Sequence, residues 1–145
     1  MLFKKISRND GDKVFIVVQN VSGATMTAGY SCCFDLSAVD GIRVTQPATA
    51  FLQAYAGIID SDIADSGYGL CQVYGYRSSA YVLRSTAKTS AAGEDLSVTN
   101  GSWALLPVIT NANVAFDKSF AFLCETVSSS SGTSYVSAKV FVRAL

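Results

Sequence analysis

The 145-residue chain contains no histidine. That absence removes the commonest general base near neutral pH, the Ser-His-Asp and Cys-His routes to an activated nucleophile, and imidazole as a metal ligand. Charge is sparse and balanced. Eleven basic residues offset eleven acidic ones, and the basic ones are scattered rather than striped, so the electrostatic footprint of a nucleic-acid binder is lacking. No run of about 18 apolar residues is present to span a bilayer, and the apolar Met1-Leu2-Phe3 meets Lys4-Lys5 too soon to form a signal-peptide core. These absences predict a protein made and folded in a cytoplasm, with neither nucleic acid nor membrane as partner.

Cys32, Cys33, Cys71 and Cys124 show no C-x-x-C spacing. The adjacent pair would point to opposite sides of a strand, so neither a zinc site nor a disulfide framework is expected, and buried, reduced thiols are. Half of the residues are apolar, enough for one domain of this length to build a core without metals or disulfides.

What is there reads as β-structure. Residues 60–83 form the stretch around which the chain is organised. With a period of two, Tyr68, Leu70, Gln72, Tyr74 and Tyr76 share one face of a strand, while Gly69, Cys71, Val73 and Gly75 share the other. Glycine weakens a strand unless something must come close, so a second layer or another chain is expected against the bare face. A bend at Gly75 or Ser78-Ser79 then leads into a further strand at residues 80–83.

Before this stretch, residues 1–13 read as an arm, basic at Lys4, Lys5 and Arg8, and residues 14–145 as a single β domain. Residues 13–21 are rich in β-branched side chains and read as a strand. A turn over residues 22–29, an extended piece over 30–36, the turn signal Asp40-Gly41 and a short strand over 42–45 ended by Pro47 follow. Residues 48–56 fit one short helix with proline in its first turn, or a strand with Phe51, Gln53 and Tyr55 on one face; the β surroundings favour the strand.

Beyond residue 83, Asn100-Gly101 predicts a two-residue type I′ hairpin. Its register sets Thr99 against Ser102, Val98 against Trp103 and Leu96 against Leu105, with Trp103 on the apolar side. A strand centred on residues 120–124 and a Ser-rich loop lead to a last strand, 135–145. In that strand Val136, Ala138, Val140, Val142 and Ala144 alternate with Tyr135, Ser137, Lys139, Phe141 and Arg143, and an antiparallel partner is expected. Thr27-Ala28-Gly29-Tyr30 and Ala91-Ala92-Gly93-Glu94 echo each other about 64 positions apart, favouring two similar sheet-rich halves. The expected fold is all-β: a compact antiparallel sandwich or small barrel with at most one short helix.

No constellation of reactive side chains emerges. Asp60, Asp62 and Asp65 with Gly67 resemble the opening of a calcium loop, but Ala64 holds the third ligand position and Tyr68 begins a strand, so a solvated turn is the better reading. Glu94-Asp95 are neighbours in a turn, poorly disposed for the opposed acid and base of glycoside hydrolysis. Neither catalysis nor any cofactor or metal is expected. Tyr74, Tyr76, Tyr81, Tyr135 and Phe141, with Lys4, Lys5 and Arg8 of the arm, are the candidate contact residues, because aromatics concentrate in interface hot spots.

The wording of most of the chain resembles the capsid decoration, or cement, proteins of tailed bacteriophages. The strings that carry the resemblance are N-V-S-G-A-T from Asn20, T-A-G-Y from Thr27, D-G-I-R-V-T-Q-P-A-T-A from Asp40, A-G-I-I-D from Ala56, D-S-G-Y-G-L-C-Q-V-Y-G-Y from Asp65, A-A-G-E-D-L from Ala91 and K-V-F-V-R-A-L from Lys139. None carries catalytic chemistry. The resemblance implies a β protein on the outer surface of the virion capsid that holds neighbouring major capsid subunits together, present as a homo-oligomer, a trimer or dimer. Two other readings use the same composition: a head-to-tail or tail component, and a carbohydrate-binding adhesion module of sandwich type with Trp103 and the tyrosines as its platform. Against the last stands the hairpin register, which turns Trp103 to the apolar side.

Overall fold

The computed structural model describes residues 12–37, 40–84, 86, 89–108, 119–132 and 134–144. They form nine strands: β1 (Val14–Asn20), β2 (Ser31–Phe34), β3 (Arg43–Thr45), β4 (Tyr55–Ile59), β5 (Tyr68–Leu83), β6 (Asp95–Val98), β7 (Leu105–Pro107), β8 (Ala121–Leu123) and β9 (Tyr135–Arg143). There is no helix among the described residues. The strands pair in the order β1-β3-β2-β4-β5-β7-β6-β8-β9, and two further pairings, β1 with β5 and β5 with β9, close this sheet into two rings of five that share β5. Each ring has one parallel pair, β1–β3 in the first and β5–β7 in the second, and is otherwise antiparallel. The all-β expectation holds, in its small-barrel form, and closure leaves neither ring with a free sheet edge.

The two rings are the same unit built twice. In the first, Ser31 pairs with Ile58 and Cys32 with Gly57; 64 residues on, Asp95 pairs with Phe122 and Leu96 with Ala121. Met26 bridges to Ile63, and 64 residues on Ser90 bridges to Val127. The faint echo in the sequence therefore marks a real repeat of backbone, and the core positions follow it: Val18 and Val82, Cys32 and Leu96, Ile59 and Leu123, Ile63 and Val127 are all buried. Cys32, Ile59 and Cys71 fill the first ring with Val18, Met26 and Val44. Leu96, Leu105, Leu123 and Val140 fill the second with Val82, and Cys33, Tyr55 and Ile58 reach it from β2 and β4. Cys32 and Cys33 thus enter different cores, as strand alternation requires.

One strand can serve both rings only if its inward face changes. In the first ring β5 turns Cys71 and Val73 inward, at odd positions, and in the second Ala80 and Val82, at even ones. Between Arg77 and Ala80 the β5–β9 register shifts: three steps along β5 match two along β9, from Arg77↔Val140 to Ala80↔Ala138. That single extra residue is a bulge, and a one-residue slip exchanges the faces of everything beyond it. The sequence suggested two strands with a bend here; the chain instead runs through as one 16-residue strand.

Second layers do lie against the bare glycine face, and they come from this chain. A side chain on Gly69 would come within 2.5 Å of Ile63, and one on Gly75, at φ +102°, would strike the Asp12 carbonyl.

Two other expectations give way. Residues 49–54 are neither helix nor strand but turns, with Phe51 N–H on the Ala48 carbonyl at 2.7 Å and Ala54 N–H on the Phe51 carbonyl at 2.8 Å; β4 starts at Tyr55. Phe51 and Leu52 pack on the second core from these turns, so burial is reached without a regular element. The hairpin forms, but Val98 faces Leu105 and Leu96 faces Pro107, a slip of two residues that keeps the apolar faces and releases Trp103 from the ladder. The tip is held from outside: Gly101 N–H bonds to the Pro47 carbonyl at 2.8 Å, Asn100 Oδ1 accepts from Thr49 N–H at 3.0 Å, and Ser31 N–H takes the Trp103 carbonyl at 2.8 Å. Gly101 has φ +70° but Asn100 does not share it, so the type I′ geometry is not adopted.

Candidate interaction surface

In the first ring β5 turns Cys71 and Val73 inward and its bulkier Tyr68, Leu70 and Tyr74 outward. On β1 and β5 this leaves an apolar band in solvent. Val17 faces Leu70, Gln19 faces Tyr68, and beyond a register shift Val14 faces Tyr74. Tyr68 is 65% exposed, Val17 58% and Leu70 43%, and Phe15 and Tyr74 are also exposed. The second ring keeps only part of it: the pair equivalent to Gln19 and Tyr68 is Leu83 and the exposed Tyr135, but the pair equivalent to Val17 and Leu70 is Tyr81 and Ser137, and the position 64 residues after Phe15 is Ser79. Exposed contiguous apolar surface that the fold itself does not require marks a contact site.

Tyr74 carries the band on to the second ring. Its ring meets Phe141 edge to face at 5.2 Å, Phe141 stacks on Phe122 at 5.2 Å, and the Arg143 guanidinium lies over Phe122 at 5.8 Å. Arg143 is itself bound by Asp95 at 2.5 Å. Tyr76 is the cross-strand partner of Phe141. Of the residues singled out from sequence, Tyr74, Tyr76 and Phe141 are therefore brought together. Tyr81 and Tyr135 lie elsewhere, with Tyr30 and Trp103 around a separate pocket. Lys4, Lys5 and Arg8 fall outside the described residues. Sequence reasoning did not single out Phe15, Val17, Tyr68, Leu70 and Phe122 as part of this surface; period-two alternation had placed Tyr68 and Leu70 on one face but could not say that this face points outward.

Charge contributes little of either sign. Asp40 holds Arg43, Glu125 holds Lys139 and Asp60 holds Arg77 at 2.8, 3.2 and 3.1 Å. A hydrogen bond from the Lys139 backbone N–H, then one from its side chain, lowers the pKa of Glu125, while Glu125 raises that of Lys139. Surface pairs of this kind are worth little in stability, but among the described residues they leave no large single-sign field for a charged partner.

The suspected calcium turn is built for another purpose. Asp62 accepts from Ala28 N–H at 2.8 Å, Asp65 from Gly23 N–H at 2.9 Å, and Asp60 faces Arg77. Three carboxylates with three separate partners tie the 22–29 loop and β5 to the turn. Among the described residues no group of three or more His, Cys, Asp or Glu side chains is placed to hold a metal ion.

No family model and no curated protein matches this chain. Among solved structures it is similar to the N base of head fiber gp8.5 of bacteriophage phi29, at 10% identity over 92% of this chain and 96% of that one, with a TM-score of 0.49. A likeness this slight carries no conclusion about what the present chain does.

Proposed function

We propose that this protein is a virion structural protein that binds the outer surface of an assembled tailed-phage capsid, ties neighbouring major capsid subunits together and catalyses no reaction. The observation that carries the reading is the apolar band along the outward face of β1 and β5, continuous in the first ring and broken in its repeat by Ser79 and Ser137. The decoration-protein wording of the sequence supports the choice of partner. Burying a Val or Leu side chain contributes roughly 1.5–3 kcal/mol, and an ordinary interface covers about 1,600 Å². Several exposed apolar side chains on one ribbon are enough to anchor such a contact. Assembly into a small closed homo-oligomer, a dimer or trimer, would multiply modest single contacts through effective concentration. Binding the assembled shell and not its separated subunits would then stabilise the shell by mass action.

Co-sedimentation with purified capsids that lack tails tests this. The intact protein should pellet with the shells. The double variant Val17→Asp/Leu70→Asp, which would place two carboxylates in a dry contact, should lose about 100-fold or more in affinity while keeping its β-type circular dichroism. Binding only to particles with tails would assign the protein to the head-to-tail or tail apparatus. Undiminished binding by the folded double variant would remove the band from the mechanism.

A further inference from the structure

The slipped hairpin releases Trp103 from the β6–β7 ladder; half-buried, it packs with Tyr30 against the first core and borders a pocket of about 90 Å³ lined by Tyr30, Tyr81, Gly101, Trp103, Ala104 and Tyr135. Trp103 stacks on Tyr30 at 5.1 Å with the planes 16° apart, and Tyr81 meets Tyr30 edge-on at 5.2 Å. Ser31 N–H donates to the Trp103 carbonyl and Gly101 N–H donates to the Pro47 carbonyl, which fixes the segment that carries the indole. Tyr135, 56% exposed, forms an open wall of the pocket.

We propose that this pocket binds one ring of a neutral glycan, with the apolar face of the sugar laid against the aromatic wall. Four features select that ligand class. First, no lining side chain is charged at neutral pH, so nothing there rewards an anionic or cationic group with an ion pair. Second, the lining combines three tyrosines and an indole, side chains with an apolar body and a polar tip that suit a ring with apolar faces and polar edges. Third, the pocket is a small cleft of about 90 Å³, of a size to take the face of one ring. Fourth, the repeat does not require the cluster: 64 residues before Tyr81 stands Val17, and 64 after Tyr30 stands Glu94. The pocket is separate from the apolar band, so shell attachment and glycan binding are independent.

The chain has a single tryptophan, so its emission reports on the pocket alone. Titration of the full chain with a panel of neutral oligosaccharides ending in hexose or N-acetylhexosamine should give a saturable change with at least one of them. Tyr135→Ala should weaken that response about ten-fold or more, Tyr135→Phe should restore most of it, and thermal melts should show both variants folded. Leu70→Asp should leave it unchanged. A flat response across the panel overturns the proposal, as does undiminished binding by Tyr135→Ala. A response to choline or to a proline-rich peptide but to no glycan overturns it too, by assigning the pocket to a cation or a peptide.

Discussion

At the scale of single residues, Arg77 holds the junction of the two rings. Its guanidinium donates to the carbonyls of Ser79 at 2.8 Å, Ile59 at 2.8 Å and Asp60 at 3.3 Å, to the Asp60 carboxylate at 3.1 Å and to Gln72 Oε1 at 3.4 Å. Gln72 in turn donates to the carbonyls of Tyr74, Gly75 and Tyr76. Both side chains are buried, and removing the donor would leave several carbonyls unsatisfied. Arg77→Ala should therefore cost about 2–4 kcal/mol in a urea titration, and Arg77→Lys should recover little because an ammonium lacks the planar fork. A loss under about 0.5 kcal/mol would show that water satisfies the site.

The thiols give a pH test at the same scale. Burial pushes Cys33 from 9.0 up to about 12; the hydrogen bond with Cys71, then burial, raises Cys32, and burial raises Tyr55. Each group holds its proton more tightly folded than unfolded. The stability this gives is complete below about pH 9 and is lost as pH climbs towards 12. Urea midpoints should fall between pH 8 and pH 11, and a flat profile would contradict the burial of these groups. At pH 8 a thiol reagent should reach the half-buried Cys124 before Cys32, Cys33 or Cys71.

At the scale of elements, β5 depends on its bulge. Deleting Ser79 would restore simple alternation and turn Ala80 and Val82 out of the second core. The expected outcome is loss of the cooperative thermal transition, whereas Ser79→Ala, which keeps the residue count and the backbone carbonyl, should stay within about 0.5 kcal/mol of the parent. A folded deletion variant would show that the strand can find its faces without the extra residue.

Much of this level was legible in the sequence. The regular alternation of β9 named its buried side correctly, Ala138, Val140 and Val142, because one face meets a core and the other does not. The glycine rail announced a close approach, and the repeat could be sensed from two small-residue turns. What escaped depended on distant partners. The hairpin register was decided by Pro47, Thr49 and Ser31, none of them near Asn100 in sequence. The inward face of β5 was decided by ring closure, which periodicity alone does not encode. For the same reason the outward band at Val17 and Leu70 could be seen only once the ring was known to take glycine and cysteine inside.

At the scale of the whole molecule, two copies of one ring share β5, so unfolding either one strips that strand of half its partners and weakens the other. Calorimetry should show one transition, with calorimetric and van't Hoff enthalpies in agreement; two resolved transitions would mean that the rings unfold separately. The duplication also frees one copy to specialise. The first ring carries the outward apolar band of β1 and β5, while its counterpart carries Ser79, Tyr81 and Ser137 at the matching places. The decisive measurement is an electron cryomicroscopy map of tailless capsids incubated with the protein. The account predicts density on the outer shell with Val17, Tyr68 and Leu70 turned towards the major capsid subunits; a bare shell, or density seated through the second ring with this band left in solvent, would contradict it.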